Sequence, residues 1–508
     1  MPVTFPFSGA APLRRWFLVA TALGVAAAGT AAAQELRGMR ATIGFDQSFE
    51  AARNRDLEIP AEGTTLRSVT GLSFALDSET RTQQFSLSTG TNLVLADGPP
   101  GTRSREITDP QFTLSYSREG VDSDFDITAR YRSAEVEFLR DLDDFVNEDG
   151  ELEIPEDFAD LVGTARRTDY AVSTTLVLGR EAAPMGLTLR AGLSGRSYTD
   201  TALSLTDTQT VTLGATGRMR LSPVATATLS LDTRRTQDDD VRDTRRDRDS
   251  VQLGLSYQID PRTSLSGSIG YARLETRELG QRVESSEGAT ARLGLSRELP
   301  DGDISAELAA ERVETGQRLT GTVGRSWERP IDTFSGSIGV TRAPDGAVNT
   351  VGALSWRRPL PQGSISANAR SSVGTDSDGE ERLNTSVRLN YNHRFSEISA
   401  VSLSLSRAEA GATARRDRVA RTAVSLTWDH ELTALSAMRV QLRHAFAERS
   451  GPSNNSQRTD LALGYSQQLT PDWSLNGNLS YSTRREGGLS TSSPAISVGL
   501  GRRFDLRL

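Results

Sequence analysis

Three histidines are the only imidazoles in the 508 residues: His393, His430 and His444. Each lies in a stretch where apolar and polar residues alternate, which predicts a β-strand. His430 directly follows Asp429, but neighbours on a strand point to opposite faces, so these two side chains do not form an acid–base pair. We interpret all three histidines as strand residues that face a lumen or an interface. No serine has a base placed beside it, and the sequence predicts no enzyme and no catalytic residue.

The composition argues against several other kinds of site. The chain has no cysteine, so it has neither a disulfide framework nor a thiolate metal site. No Gly-rich phosphate loop follows a strand and opens a helix. The 58 basic residues, all of them arginine, are outnumbered by 66 acidic ones, and the sequence shows no basic stripe. We therefore predict no metal site, no cofactor and no nucleic-acid partner.

The stretch SVQLGLSYQIDPRTSLSGSIGY (250–271) shows which elements carry these side chains. Apolar residues alternate with Ser, Gln and Gly on both sides of an Asp-Pro turn, which predicts a β-hairpin with one apolar and one polar face. We expect Leu253 and Leu255 to face lipid, and Gln252 and Ser256 to face a lumen.

The same unit recurs to the end of the chain, one hairpin and one longer polar segment every 30 to 40 residues. The pattern predicts about 24 strands (22–26), the first over roughly 38–48 and the last over 494–508. Longer polar segments, interpreted as loops, lie at 234–250, 374–382, 447–457 and 484–493.

The first 33 residues differ from the rest. Arg14 and Arg15 precede an apolar run that starts at Trp16 and ends in three alanines at 31–33. This order predicts a secretory signal peptide over 1–33, followed by one β-barrel domain over 34–508. The mean hydropathy of −0.41 is too polar for a helical membrane protein.

Tryptophan positions favour lipid over a protein core as the partner of the apolar faces. Trp327, Trp356, Trp428 and Trp473 each lie within a few residues of a predicted short turn and share parity with the apolar face of their strand. Trp is enriched at membrane interfaces because its ring is amphipathic. We predict a membrane-interface belt of these four residues, and closure of the sheet, which removes open edges.

With these features, the segment after residue 33 resembles a Gram-negative outer-membrane β-barrel protein. The last strand, AISVGLGRRFDLRL (495–508), carries the apolar alternation that the barrel-assembly machinery recognises, although it ends on Leu508 where such strands usually end on an aromatic. The resemblance implies an all-β fold: a single large antiparallel up-and-down transmembrane β-barrel in the cell outer membrane, with short periplasmic turns and longer external loops.

The implied partners are outer-membrane lipid, lipopolysaccharide and the assembly machinery. A more specific hypothesis is that four arginines contact the phosphates of lipopolysaccharide: Arg234, Arg235, Arg245 and Arg246.

About five residues separate the predicted cleavage site from the first strand, so we expect a barrel without a plug domain. The leading hypothesis is a porin-like channel for solutes whose identity the sequence does not give. One alternative is an export barrel for a polymer such as an exopolysaccharide, working with a periplasmic partner. Another is a structural or adhesive surface barrel that does not conduct.

The long segment 140–166 is acidic, with ten carboxylates and one arginine over 140–160. One interpretation is a solvated external loop whose carboxylates hold divalent cations. The other is a loop that folds into the lumen and concentrates cations at a constriction, as the third loop does in the general porins that it resembles. The candidate constriction residues are Asp141, Asp143, Asp144, Glu148, Asp149, Glu151 and Glu153.

Overall fold

The computed structural model describes residues 38–102, 104–137, 164–179, 183–199, 206–240, 242–375, 381–412, 418–448 and 455–507. These residues form 24 strands and their connections. In chain order the strands are β1 (Met39–Arg53), β2 (Thr64–Glu79), β3 (Gln83–Asp97), β4 (Arg105–Glu119), β5 (Ser123–Glu137), β6 (Thr164–Leu178), β7 (Met185–Thr199), β8 (Asp207–Ser222), β9 (Ala225–Asp239), β10 (Arg245–Asp260), β11 (Thr263–Arg277), β12 (Glu284–Leu299), β13 (Gly302–Val313), β14 (Gly316–Glu328), β15 (Thr333–Arg342), β16 (Val348–Leu360), β17 (Gly363–Thr375), β18 (Glu381–Ser396), β19 (Ser399–Ala412), β20 (Arg418–Thr433), β21 (Ser436–Glu448), β22 (Ser456–Gln468), β23 (Trp473–Glu486) and β24 (Leu489–Arg507).

Hairpins build the sheet, and β10 with β11 is representative. Val251 pairs with Tyr271 and Leu253 with Ile269, in the register that the alternation predicts. The turn between the strands has Pro261 at a position that favours its fixed φ, and the carboxylate of Asp260 accepts a hydrogen bond of 2.8 Å from the backbone N–H of Arg262. Local sequence therefore sets both the faces and the turn.

The sheet is a closed antiparallel barrel. Each strand pairs with its neighbours in sequence, and β1 pairs with β24 from Arg40↔Arg507 to Ala52↔Ala495. Closure satisfies the backbone of the first and last strands and leaves no open edge in the ladder. The predicted all-β fold and strand number are confirmed.

The barrel turns its apolar side chains outward. Leu253 and Leu255 are 55% and 48% exposed, and similar values recur for leucines, isoleucines and valines around the ring. Fully buried large side chains are scarce among the described residues: Leu57 and Asn54, both in the β1–β2 loop. A transmembrane barrel requires this distribution, because its apolar band faces lipid.

Two predicted loops proved to be largely strand. Within 234–250, β9 continues to Asp239 and β10 begins at Arg245, so that only 240–244 is a loop. Within 484–493, β23 and β24 meet at a two-residue turn, Gly487-Gly488, where both glycines have positive φ. The polar composition misled the prediction because backbone hydrogen bonds continue a ladder beyond the apolar band without help from apolar side chains.

Candidate functional site

Side chains alternate between the two faces of each strand, so the residues between the exposed leucines point to the inner surface of the wall. On β10 these are polar: Gln252 donates a hydrogen bond of 2.8 Å from its amide nitrogen to the hydroxyl of Ser268 on β11. The expectation that Gln252 and Ser256 lie opposite the Leu253–Leu255 face is met by the closed register. The lumen is therefore the surface on which polar chemistry can occur.

Carboxylates on this surface bind partners along their own strand and on the neighbouring strand. Asp169 accepts hydrogen bonds from Arg167 at 2.6 Å and from Arg196 at 3.0 Å. Asp460 accepts from Arg458 at 2.9 Å and from the hydroxyl of Ser482 at 2.5 Å. Such pairs fix the orientation of long side chains that would otherwise move freely in the lumen.

One arc of the wall is strongly basic. On β16 to β21, the described residues whose side chains point into the lumen include eight arginines and only two carboxylates, Asp429 and Glu431. We call these arginines the arginine track: Arg357, Arg370, Arg382, Arg388, Arg394, Arg421, Arg439 and Arg443. At the loop end beside it, Arg318 and Glu381 pair at 3.2 Å and cancel. This excess of positive charge contrasts with the net charge of −8 of the whole chain.

The strand register places the track at successive heights along β18. Arg439 lies level with Arg394 through the pairs Arg394↔Ala400, Ala400↔Asp429 and Asp429↔Arg439. The strand pairs also place Arg357 and Arg443 in the same row of the sheet as Asn390 of β18. Arg370 and Arg421 lie in the same row as Ser386 of β18. From Arg394 to Arg382 the track spans 12 residues, about 40 Å, and no step exceeds about 13 Å. The sequence analysis missed it because only the register brings the six strands together.

A structured loop covers part of the loop-end mouth. Asn54, at φ 49°, accepts hydrogen bonds of 3.1 Å from the backbone N–H groups of Glu58 and Glu62. Its amide nitrogen donates to the Glu58 carbonyl at 3.1 Å and to the hydroxyl of Thr491 on β24 at 2.6 Å. Arg55 extends in the other direction and pairs with Glu135 on β5 at 3.4 Å. The loop is thus tied to two separate parts of the rim.

Beneath this loop is a cavity of about 360 Å³ lined by charged side chains of both signs. Glu106 reaches it because a bulge at Asp109, with φ 50°, shifts the register of β4 and brings Glu106 and Thr108 to the lumen side. Glu106 pairs there with Arg166 at 2.7 Å. Burial lowers the pKa of Arg55, but Glu135, Asp56 and Glu50 outweigh it and raise that pKa overall, so Arg55 stays charged.

The four predicted belt tryptophans lie on the outward face at the short-turn side. Trp327 packs against Phe334 with ring centroids 5.1 Å apart, and Phe334 pairs across to Trp356. Trp428 donates a hydrogen bond of 2.9 Å from its indole N–H to Ser399, and the guanidinium of Arg502 lies 5.0 Å from the centroid of Trp473. Their place at a membrane interface stays a prediction.

Two of the three histidines join this outer aromatic surface, whereas His444 lies nearer the loop end of β21, with its Nδ1 2.9 Å from the hydroxyl of Thr459. His393 stacks on Tyr391 at 5.9 Å, and His430 on Trp428 at 5.5 Å. Asp429 instead faces the lumen and accepts a hydrogen bond of 2.5 Å from Arg439. The prediction that Asp429 and His430 point to opposite faces is confirmed, and their directions are incompatible with an acid–base pair.

Two of the four arginines proposed for lipopolysaccharide contact face the wrong way. Arg246 projects into the lumen, where it contacts Asp238 at 2.5 Å and Glu314 at 3.2 Å. Arg234 shares its inward parity through the pairs Arg234↔Arg248 and Arg246↔Thr236. The interpretation is wrong for these two because the segment is strand, in which side chains alternate between faces. Only Arg235 and Arg245 keep the outward parity.

Other predicted features lie outside the described residues: the signal peptide (1–33) and the candidate constriction residues Asp141 to Glu153. In the part of the chain that is described, no group of three or more His, Asp or Glu side chains could hold a metal ion. Over those same residues, no helix is long and apolar enough to cross a membrane.

No family model and no curated protein sequence matches the chain. Among solved structures, the FrpB iron transporter from Neisseria meningitidis is 10% identical with a TM-score of 0.48, over 92% of this chain and 81% of that one. The siderophore receptor PirA from Pseudomonas aeruginosa is 10% identical with a TM-score of 0.42, over 92% and 81%. The ferric-catecholate import receptor Fiu from E. coli K12 is 8% identical with a TM-score of 0.42, over 91% and 81%. Because these scores lie below 0.5, neither the ligands nor the activities of these proteins are transferred to this chain.

Proposed function

We propose that the chain is a porin-like transport barrel of the cell outer membrane, through whose lumen polar solutes pass. One observation carries this proposal: the closed ladder separates an exposed apolar exterior from a lumen surface of hydroxyl, amide and charged side chains. Such a wall isolates polar solutes from hydrocarbon around the whole circumference.

The width of the lumen bears on what passes. Twenty-four strands at the usual spacing and tilt enclose about 45–50 Å between opposite backbones if the cross-section is round. Barrels of about 16–18 strands already leave an aqueous channel. We therefore propose that two loops narrow this lumen: the β1–β2 loop at the mouth, and the acidic residues Asp141 to Glu153 within it. Residues 164–166 of the predicted acidic loop belong to β6.

Outer-membrane lipid, lipopolysaccharide and the barrel-assembly machinery are the proposed partners. Support for a lipopolysaccharide contact comes from the outer face of the β9–β11 extension. Arg235 and Arg245 lie there beside two arginines of β11, Arg273 and Arg277. Glu275 lies between these two β11 arginines and accepts a hydrogen bond from each. Exposed arginines just beyond an apolar band suit the phosphates of a lipid headgroup.

The width also favours a second candidate, export of a polymer delivered by a periplasmic partner. A folded or hydrated polymer chain needs a wider path than a small solute. A solute-size cutoff well above that of small nutrients would favour export over a porin.

The test is single-channel conductance of the refolded mature chain in planar bilayers, with polyethylene glycols of graded size as blockers. We expect discrete insertion steps and a measurable size cutoff. Insertion without conductance contradicts the transport proposal and leaves a structural or adhesive barrel. A sample that neither inserts nor resists urea in vesicles contradicts the membrane assignment itself.

A further inference from the structure

From the arginine track we infer that the lumen binds anionic, carboxylated saccharide chains along β16 to β21, an inference that rests on the proposed transport function. Eight inward arginines face two carboxylates on this arc, and their heights follow one another without a gap longer than about 13 Å. An extended polymer with regularly spaced negative charges would stay in contact with at least one arginine throughout its passage.

The guanidinium of arginine binds a carboxylate with better geometry than a compact positive charge such as an ammonium group does. Its planar guanidinium offers two parallel N–H donors to the two carboxylate oxygens, and it stays charged at any physiological pH. Arg370, Arg394 and Arg439 are solvent-exposed in the lumen, whereas Arg421 is only 6% exposed. A contact to an exposed arginine is weak, so a chain can advance from one such contact to the next.

The residues between the arginines point to a saccharide. Six amide side chains share the inward parity of the arc, together with serines on five of its six strands. Amides donate and accept hydrogen bonds, as sugar hydroxyls require. The amides are Asn349, Asn368, Asn384, Asn390, Asn392 and Gln441.

Aromatic side chains are missing from the inward positions described on β16 to β21. Binding of single-stranded nucleic acid relies on aromatic platforms on which bases stack. The arc therefore lacks what a nucleic acid needs and retains what an acidic sugar chain needs.

The test compares two triple variants of the mature chain that change the lumen charge equally. The first, R357Q/R370Q/R394Q, removes three arginines of the track. The second, R40Q/R292Q/R503Q, removes three inward arginines on β1, β12 and β24, outside the arc. Circular dichroism and gel mobility show that both fold.

Block of the open channel is measured with oligogalacturonate, with neutral dextran of equal mass as a control. We expect oligogalacturonate to block the parent, and the track variant to need about tenfold more of it. The second variant should change less than threefold, and dextran should not block at these concentrations. Equal losses in the two variants, or equal block by dextran, overturn the inference.

A polyphosphate control and a binding assay complete the test. Block by inorganic polyphosphate at lower concentration than oligogalacturonate, at equal charge, overturns the saccharide assignment. Retention of the mature chain in detergent on immobilised polygalacturonate is measured without any conductance. Loss of retention in the track variant alone supports the binding surface even where conduction fails, whereas equal retention of both variants overturns it.

Discussion

The guanidinium of Arg246 on β10 lies 2.5 Å from the carboxylate of Asp238 on β9, inside the lumen at the loop end. Both side chains are largely buried, 15% and 6% exposed, and Glu314 of the β13–β14 turn lies 3.2 Å from the same guanidinium. One arginine thus ties a hairpin to a turn three strands away.

Replacing Asp238 by Ala should destabilise the barrel, because Arg246 loses its nearest charge partner while it stays partly buried. We expect a loss of about 1–3 kcal/mol, limited because Glu314 remains. Urea unfolding in vesicles measures the loss. The neighbouring exposed Asp239, replaced by Ala, is the control and should change the stability by less than about 0.5 kcal/mol.

An arginine on the outer face should be far more costly than one on the inner face. Leu255→Arg places a charge in the apolar band and should cost on the order of 2–4 kcal/mol, whereas Ser256→Arg faces the lumen and should be mild. The measurement is the folded fraction after dilution into lipid vesicles. Equal effects at the two positions would argue against a membrane-spanning wall.

The four belt tryptophans should lie at one depth in the bilayer. Four variants, each keeping one of Trp327, Trp356, Trp428 and Trp473 with the others changed to Phe, allow each depth to be measured by quenching with brominated lipids. We expect all four near the headgroups, because they lie together at the short-turn end of the wall. Strong quenching of any of them from the bilayer centre would contradict the belt.

Asn54 should control the order of the β1–β2 loop. Asn54→Ala removes four hydrogen bonds and leaves a Cβ residue at φ 49°, so local opening should become easier by about 1–3 kcal/mol. Amide hydrogen exchange over 54–63 measures this. Thr491→Val removes one of these bonds and should have a smaller effect; exchange at the parent rate in both variants would show that Asn54 does not hold the loop.

Deletion of 143–158 tests the acidic segment. If it narrows the lumen, the deletion should raise single-channel conductance and lower cation preference, because it removes carboxylates from the conduction path. Reversal potential in a KCl gradient gives the preference. Unchanged values in a protein that still inserts would place the segment outside the path.

The sequence by itself determined the faces of the strands and their approximate number. Period-2 alternation decides which side chains share a face, as on β10, and a turn such as Asp260-Pro261 decides where a hairpin reverses. Both signals are local, since they depend on neighbours along the chain. Strand ends were harder to predict, because ladders such as β9–β10 continue through charged sequence on backbone hydrogen bonds.

Only the tertiary structure decided where charges meet. Asn54 bonds to Thr491, 437 positions away, because closure brings β24 beside β1. Arg394 and Arg439 belong to strands separated by two others, and only the strand pairing shows that they share one row of the sheet. Arg246 was assigned from composition to an external loop, but as a strand residue its parity turns it toward Asp238. Long-range register and closure fix these relations, and no window of sequence contains them.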